Sequence, residues 1–122
     1  MEIITEVVIV TTTGTAGAAT GSAISNVLHG FILDIFLDYH ASAPATTDVT
    51  IAYTARGSNI LVVSNNATDA LYHPRAKPVD NANVAITNSH DKFAVSDTLT
   101  ISLAESDALT GAVTAYIHVL RP

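Results

Sequence analysis

The sequence predicts an all-β protein, an antiparallel two-sheet sandwich or jelly roll of about eight strands. Runs rich in Val, Ile and Thr alternate in polarity, and Gly, Asn, Asp, Ser or Pro separates one run from the next. Helical spacing with caps is found over no convincing length. Since 122 residues is the size of one domain, we predict a single β-sandwich domain over residues 1–122.

The runs that fit strands succeed one another along most of the chain. They are, in order, Ile3–Val10, Val27–Tyr39, Asp48–Thr54, Asn59–Ser64, Leu71–Val79, Lys92–Val95, Thr98–Ala104 and Ala112–Leu120. Alternation is clearest in Asp48–Thr54 and Thr98–Ala104, where large apolar residues hold one face and threonine dominates the other. Threonine suits an exposed strand because its branched side chain fits the pleat while its hydroxyl stays solvated. Each of these strands should have one core face.

The segment Gly30–Tyr39, GFILDIFLDY, is apolar on both sides when it is read as a strand. Its odd positions form a wholly apolar row, and its even positions mix Ile32 and Phe36 with two carboxylates. The strand predicted at Ala112–Leu120 also has apolar groups on both faces. We therefore expect these strands to supply core contacts and contacts between subunits. The residues expected to make them are Phe31, Leu33, Ile35, Phe36, Leu37, Tyr116 and Ile117.

The segment 11–25, TTTGTAGAATGSAIS, consists almost wholly of Thr, Ala, Gly and Ser. Such a composition fits a mobile or irregular loop. It also fits an extended arm between subunits, because small side chains permit close approach by another backbone. Composition alone does not separate these two interpretations.

The composition favours oligomerisation. Apolar residues make up 48% of the chain and charged residues only 13%, against about 25% charged in typical globular chains. A surface so poor in charge suggests that other subunits cover part of it. The net charge is −6 with scattered basic residues, which disfavours binding to nucleic acid. Acidic residues near the start and the lack of a membrane-length apolar run predict a soluble, unexported chain.

The chain offers little chemistry for catalysis. It has no cysteine, and it lacks the HExxH and GxSxG motifs. Asp38 and His40 share a strand face, but a stable metal site needs three or four ligands. Asp34 and Asp38 would lie about 13 Å apart along a strand, farther than paired glycosidase carboxylates. We expect no catalytic residue, no metal and no cofactor, and therefore a protein that is not an enzyme.

A short stretch after Leu71 carries several cationic candidates. If it is extended, His73, Arg75 and Lys77 lie on one side, beside the aromatic Tyr72. Prolines on either side of Arg75 cannot donate backbone hydrogen bonds, so the strand belongs at a sheet edge or is irregular. One interpretation is an edge protected against adventitious pairing. The other is a contact strip for an acidic neighbouring protein, with Tyr72, His73, Arg75 and Lys77 as the contact residues.

Three segments together resemble a family. They are GFILDIFLDYHASAPATTDVTI, TDALYHPRAKPVDNANVAI and FAVSDTLTISLAESDALTGAVTAYI, within Gly30–Ile117. As an ordered set, these segments are similar to small β-rich virion proteins of tailed bacteriophages. The matching features are an apolar strand ending in LDY, a PATTDVTI turn and strand, a TDxxYxPR element and a closing strand pair.

The resemblance implies a capsid cement or decoration protein, a jelly-roll-like module that lies over junctions between major capsid proteins. Such a protein is made in the host cytoplasm and sits on the outer surface of the capsid in the virion. The implied partners are sister copies, as a homotrimer, and the major capsid protein, with no nucleic acid and no membrane. The alternative is a tail-fibre or baseplate β-sandwich module, with carbohydrate binding as its candidate activity. Sugar platforms expose aromatic rings, whereas this chain has no Trp, three Phe and four Tyr.

Overall fold

The computed structural model describes residues 1–122 and contains nine β-strands and no helix. The strands are β1 (Glu2–Val10), β2 (Ala19–Ile24), β3 (Gly30–Tyr39), β4 (Asp48–Tyr53), β5 (Asn59–Val63), β6 (Ala70–Tyr72), β7 (Ala94–Val95), β8 (Leu99–Ser106) and β9 (Val113–Arg121). They form two antiparallel sheets that pack as a sandwich. The predicted all-β, two-sheet fold class is confirmed.

The strand order is that of a jelly roll. Sheet I has the order β1-β9-β3-β6, with β7 also paired to β3, and sheet II has the order β2-β8-β4-β5. Thus β1 pairs with β9, β2 with β8, β3 with β6 and β4 with β5. Early strands pair with late strands in nested order, as in one long hairpin that is rolled up, which defines the jelly-roll arrangement.

The core fills the space between the inner faces of the two sheets. Alternate residues of β9 are buried from Val113 to Val119, and the residues between them are half-buried. Sheet II contributes Val49 and Ile51 from β4 and the buried row of β8 that begins at Leu99. A single cluster of 19 buried apolar residues results. The core faces predicted for β4 and β8 are confirmed.

A β-bulge in β3 changes which of its side chains face the core. Ile32 pairs with Val119 and Asp34 with His118, so Leu33 between them has no partner on β9. A bulge inserts one extra residue into a strand and thereby reverses the facing of the later side chains. The expected uninterrupted odd row is therefore wrong. Ile32 points inward before the bulge, whereas Ile35, Leu37 and Tyr39 point inward after it.

The seven residues expected at core or subunit contacts separate into two groups. Ile35, Leu37 and Ile117 are fully buried in the core. The other four are not part of the buried cluster. They are Phe31, Leu33, Phe36 and Tyr116, of which Phe31 is exposed and the rest are half-buried.

The small-residue segment 11–25 is not simply a loop, because its second half forms β2. Thr13 and Thr20 bridge across its turn, and β2 then pairs with β8. A Cβ built on Gly21 would lie 2.2 Å from the carbonyl oxygen of Thr11. The close backbone approach expected of an extended small-residue segment is thus present, within this chain.

Three predicted strands are shorter in the structure by two residues or more. The strand expected from Val27 begins at Gly30, and those expected at Leu71–Val79 and Lys92–Val95 are reduced to β6 and β7. The chain between β6 and β7, residues 73–93, forms a hairpin arm in which the Ala76 and Asp91 backbones exchange hydrogen bonds of 2.7 and 2.8 Å. Both β6 and β7 pair with the same edge of β3, so the arm leaves sheet I at this edge.

Gly30 marks a second close approach of two backbones and provides a test of the fold. Its φ is +138°, and an added Cβ would lie 2.1 Å from the Leu120 carbonyl oxygen. Gly57 also has a positive φ, +71°, but has open space around it. We expect Gly57→Ala to lower the free energy of unfolding by about 1–2 kcal/mol, and Gly30→Ala to lower it further because of the clash. Urea unfolding measures both, and equal losses would contradict this packing.

Candidate functional site

The outer face of sheet I carries apolar side chains in rows that cross the strands. Side chains at paired positions of neighbouring strands on one face are in contact. The rows are Ile3, Leu120 and Phe31; then Thr5, His118 and Asp34; then Val7, Tyr116, Phe36 and Leu71; then Ile9, Thr114 and Asp38. Two largely apolar rows therefore flank a polar one.

Much of this apolar surface is open to solvent. The exposed fractions are 64% for Ile3, 60% for Ile9, 51% for Leu71, 47% for Val7 and 41% for Phe31. At the centre of the face the rings of Phe36 and Tyr116 lie 6.3 Å apart, within the range of favourable aromatic pairs. Contiguous exposed apolar surface on a soluble fold marks an interaction site. The outer face of sheet I is thus the main candidate site.

The polar row of Thr5, His118 and Asp34 lies between the two apolar rows of this face and links its strands. His118 Nδ1 and Asp34 Oδ1 are 2.6 Å apart and join β9 to β3 directly across the sheet. Apart from His118, Asp34 and Asp38, these rows contain no acidic, basic or histidine side chain. These rows therefore combine apolar surface with a slight negative charge and contain no lysine or arginine, although Lys92 of the hairpin arm lies beside Phe31 and Leu120.

The outer face of sheet II has different chemistry. Its central row is Ser22, Ser102, Thr50 and Val62. The Thr54 and Thr100 hydroxyls lie 2.8 Å apart and satisfy each other. This is the threonine-rich face that the sequence predicts, and its small hydroxyl groups lie beside the exposed apolar side chains of Ile24 and Val62.

The predicted contact strip lies where the hairpin arm begins. Tyr72 is half-buried in the edge strand β6, whereas His73, Arg75 and Lys77 are exposed. The expectation of an edge or irregular position is confirmed, and Pro74 is buried. The strip is not one continuous strand, because β6 ends at Tyr72.

Arg75 has a structural role that the sequence does not reveal. Its guanidinium donates to the Leu33 carbonyl oxygen at 3.1 Å and to the Pro74 carbonyl oxygen at 2.7 Å. Leu33 is the bulge residue, and it lies between the parts of β3 that pair with β7 and with β6. Arg75 thus satisfies a carbonyl that no strand reaches, which leaves His73 and Lys77 as the freer cationic candidates.

The tip of the hairpin arm is a second apolar surface, which sequence reasoning missed. The Asp80 carboxylate accepts hydrogen bonds from the backbone N–H groups of Ala82 and Val84, at 2.8 and 2.9 Å. Val79, Val84 and Ile86 are exposed around this turn. The available signal was the turn-forming run DNAN between valines, which is typical of a hairpin.

Neither concavity of the structure assembles a catalytic set. One, of about 450 Å³, is lined by Phe31, Asp91, Lys92 and Leu120, where the arm meets the outer face of sheet I. The other, of about 240 Å³, lies beside Tyr53, whose ring is covered by the Arg56 guanidinium at 4.4 Å from its centroid. No three His, Asp or Glu side chains are grouped to hold a metal ion. No helix here has the length and apolarity to span a membrane.

Two tyrosines differ in how their hydroxyls are satisfied. Burial raises the pKa of Tyr39 above its usual value, although nearby Asn66 opposes the rise. The Tyr39 hydroxyl is buried, and neither Asn66 nor any other group meets it in hydrogen-bonding geometry. Burial also raises the pKa of Tyr53, against the opposing effect of Arg56. The Tyr53 hydroxyl donates to the Ala94 carbonyl oxygen at 2.6 Å.

Comparison with known proteins adds no relative. No protein-family model, no curated protein and no solved structure matches the chain. Support for a function therefore comes from the geometry of the two apolar surfaces and of the strip between them.

Replacing each tyrosine by phenylalanine should give opposite results. Tyr53→Phe loses a hydrogen bond and should lower the free energy of unfolding by about 0.5–1.5 kcal/mol. Tyr39→Phe removes an unsatisfied buried group and should leave that free energy unchanged or raise it by up to about 1–3 kcal/mol. Urea unfolding at neutral pH measures the difference. A larger loss for Tyr39→Phe than for Tyr53→Phe would contradict the unpartnered hydroxyl.

The same pair predicts a pH dependence. A pKa raised by folding means that the folded state holds its proton more tightly than the unfolded chain, which titrates near about pH 10. The resulting stability is complete below that pH and is lost as the pH rises through the folded-state pKa. Tyr39→Phe should therefore show a shallower loss of stability above about pH 10 than the wild type. An unchanged alkaline slope would exclude Tyr39 as a contributor.

Proposed function

We propose that this protein is a capsid cement or decoration protein, which binds the outer surface of a phage head and stabilises contacts between major capsid proteins. The observation that carries the proposal is the outer face of sheet I, a broad apolar surface exposed on a small, charge-poor jelly roll. Jelly rolls recur in viral capsid domains, although they also occur in lectins and enzymes. The resemblance of the Gly30–Ile117 region to small virion proteins of tailed bacteriophages supports the virion role among these.

Adhesion itself is the proposed activity. Burying apolar surface contributes about 25 cal/mol per Å², and part of this is offset by the cost of association. A homotrimer that meets a shell through three equivalent sites gains from multivalency, because the second and third contacts form at high effective concentration. Weak individual contacts then hold firmly to an ordered shell.

The two surfaces take different partners in this proposal. Phe31, Phe36 and Tyr116 on the outer face of sheet I contact sister copies. Tyr72, His73 and Lys77 contact the shell, and Arg75 supports them by holding the bulge carbonyl of Leu33. For this reason a change at Arg75 would disturb the fold edge as well as the surface charge, and it is a poor test of shell binding.

Solution mass tests the subunit contact. Val7→Asp places a charge on the outer face of sheet I, where Val7 is 47% exposed, whereas Val62→Asp places one on the outer face of sheet II, where Val62 is 55% exposed. By light scattering we expect the wild type and Val62→Asp to be trimeric and Val7→Asp to fall towards the 12.7 kDa monomer. A trimer that persists in Val7→Asp but dissociates in Val62→Asp would place the contact on the other sheet.

Co-sedimentation with expanded capsid shells tests the shell contact. His73→Glu adds a negative charge to the strip, and Thr20→Glu adds one to the outer face of sheet II as a matched control. We expect wild type and Thr20→Glu to sediment with shells, and His73→Glu to bind about fivefold more weakly or worse. Glycan binding without shell binding by the wild type would instead identify the tail-fibre or baseplate alternative.

A further inference from the structure

We propose that the hairpin arm of one copy docks its apolar tip on the outer face of sheet I of a second copy. The inference deepens the oligomeric part of the proposed function and rests on it, because it names the two different surfaces through which copies meet. The shell plays no part in this contact.

The arm is built to hold its apolar tip away from its own domain. Its two strands are joined by backbone hydrogen bonds at Ala76 and Asp91, and further out by the bond from Ile86 N–H to the Pro78 carbonyl oxygen. Asp80 then fixes the turn. Val79, Val84 and Ile86 nevertheless stay 50%, 59% and 43% exposed. An ordered turn that presents apolar groups loses little conformational entropy on binding.

Within one copy, the arm tip and the far side of the outer face of sheet I do not cover each other. The arm leaves from the β6 and β7 edge of sheet I, and its base already lies against Phe31 and Leu120. The strand β1 forms the opposite edge, and Ile3, Val7 and Ile9 on it are among the most exposed side chains of the face. The uncovered apolar surface and the uncovered tip thus lie at opposite edges of the same sheet, where a neighbouring copy can bring them together.

Charge disfavours the symmetrical pairing of two faces. The arm has three basic residues and two acidic ones, a net charge of +1, and the rest of the chain has two basic and nine acidic residues, a net charge of −7. The outer face of sheet I holds Asp34 and Asp38, whereas the tip holds Lys77 two positions before Val79 and Asp80 directly after it. Face against face would oppose like carboxylates. The tip adds one cation and one carboxylate, so arm against face avoids that opposition.

A contact between two different surfaces is heterologous, so it repeats from copy to copy. Such contacts close into a ring when the rotation between copies closes, and otherwise give an open filament. Ring closure would yield the homotrimer proposed above. Lys77 then lies at the boundary between the subunit contact at the tip and the strip that begins at His73.

Chemical cross-linking tests the inference on the isolated protein. The chain has no cysteine, so Val84→Cys puts a single thiol at the arm tip and Val7→Cys puts one on the outer face of sheet I. Each variant alone, and an equal mixture of the two, is treated with a short bismaleimide at low concentration. We expect a product of twice the 12.7 kDa chain mass in the mixture only. A mixture of Val84→Cys with Val62→Cys is the matched control and should give none.

Each other outcome overturns the inference. A cross-linked product from Val84→Cys alone would mean that tips meet tips, and one from Val7→Cys alone would mean that faces meet faces. No product in the mixture, or as much in the Val62→Cys control, would mean that tip and face do not meet. As a second readout, Val84→Asp with Ile86→Asp should reduce the solution mass to that of the monomer, since these exposed residues have no part in the core.

The failure of this inference differs from the failure of the proposed function. If copies cross-link tip to face but do not sediment with shells, the capsid role is disproved and the arm contact stands. If a 12.7 kDa monomer binds shells and gives no cross-links, the arm contact is disproved and the capsid role stands.

Discussion

The β-bulge in β3 lets one strand serve both the core and the outer face of sheet I. Because Leu33 is an extra residue, Ile32 and Ile35 both point inward although they are three positions apart. The bulge also divides the neighbouring edge into a part that pairs with β7 and a part that pairs with β6. The hairpin arm leaves between these parts, and Arg75 reaches back to the freed carbonyl. Core register, edge and arm all depend on this one residue.

The sequence was sufficient where side chains differ strongly in polarity. Strict alternation of large apolar residues with threonine predicted β4 and β8 and their buried faces correctly. It failed at β2, because Ala19, Gly21 and Ser22 carry no hydrophobic contrast and the strand is held by backbone pairing with β8. It failed again at Leu33, because a bulge leaves no mark in composition. One uninterrupted apolar row was therefore assigned to β3, although the residues before the bulge follow the opposite alternation from those after it.

The candidate surfaces were predictable only in part. Phe36 and Tyr116 were expected at contacts, and they do lie side by side on the outer face of sheet I. The exposed members contributed by β1 were not expected, since Ile3, Val7 and Ile9 looked like one face of an ordinary strand. Their exposure results from pairing with β9, which turns the other row of β1 inward. The arm tip was missed because Val79 was assigned to the end of a strand that began at Leu71, while Val84 and Ile86 were assigned to no element.

The position of β9 between β1 and β3 governs how the protein can be made. Residues 113–121 must be available before sheet I can close, since they supply the pairing partners of both neighbours. Pairing between such distant parts of a chain is slow, and domains fold as units during synthesis. Until β9 has been synthesised, β1 and β3 lack their shared pairing partner, and their apolar rows stay exposed to solvent. In a crowded cell, chaperones would therefore meet this protein chiefly before its ninth strand emerges from the ribosome.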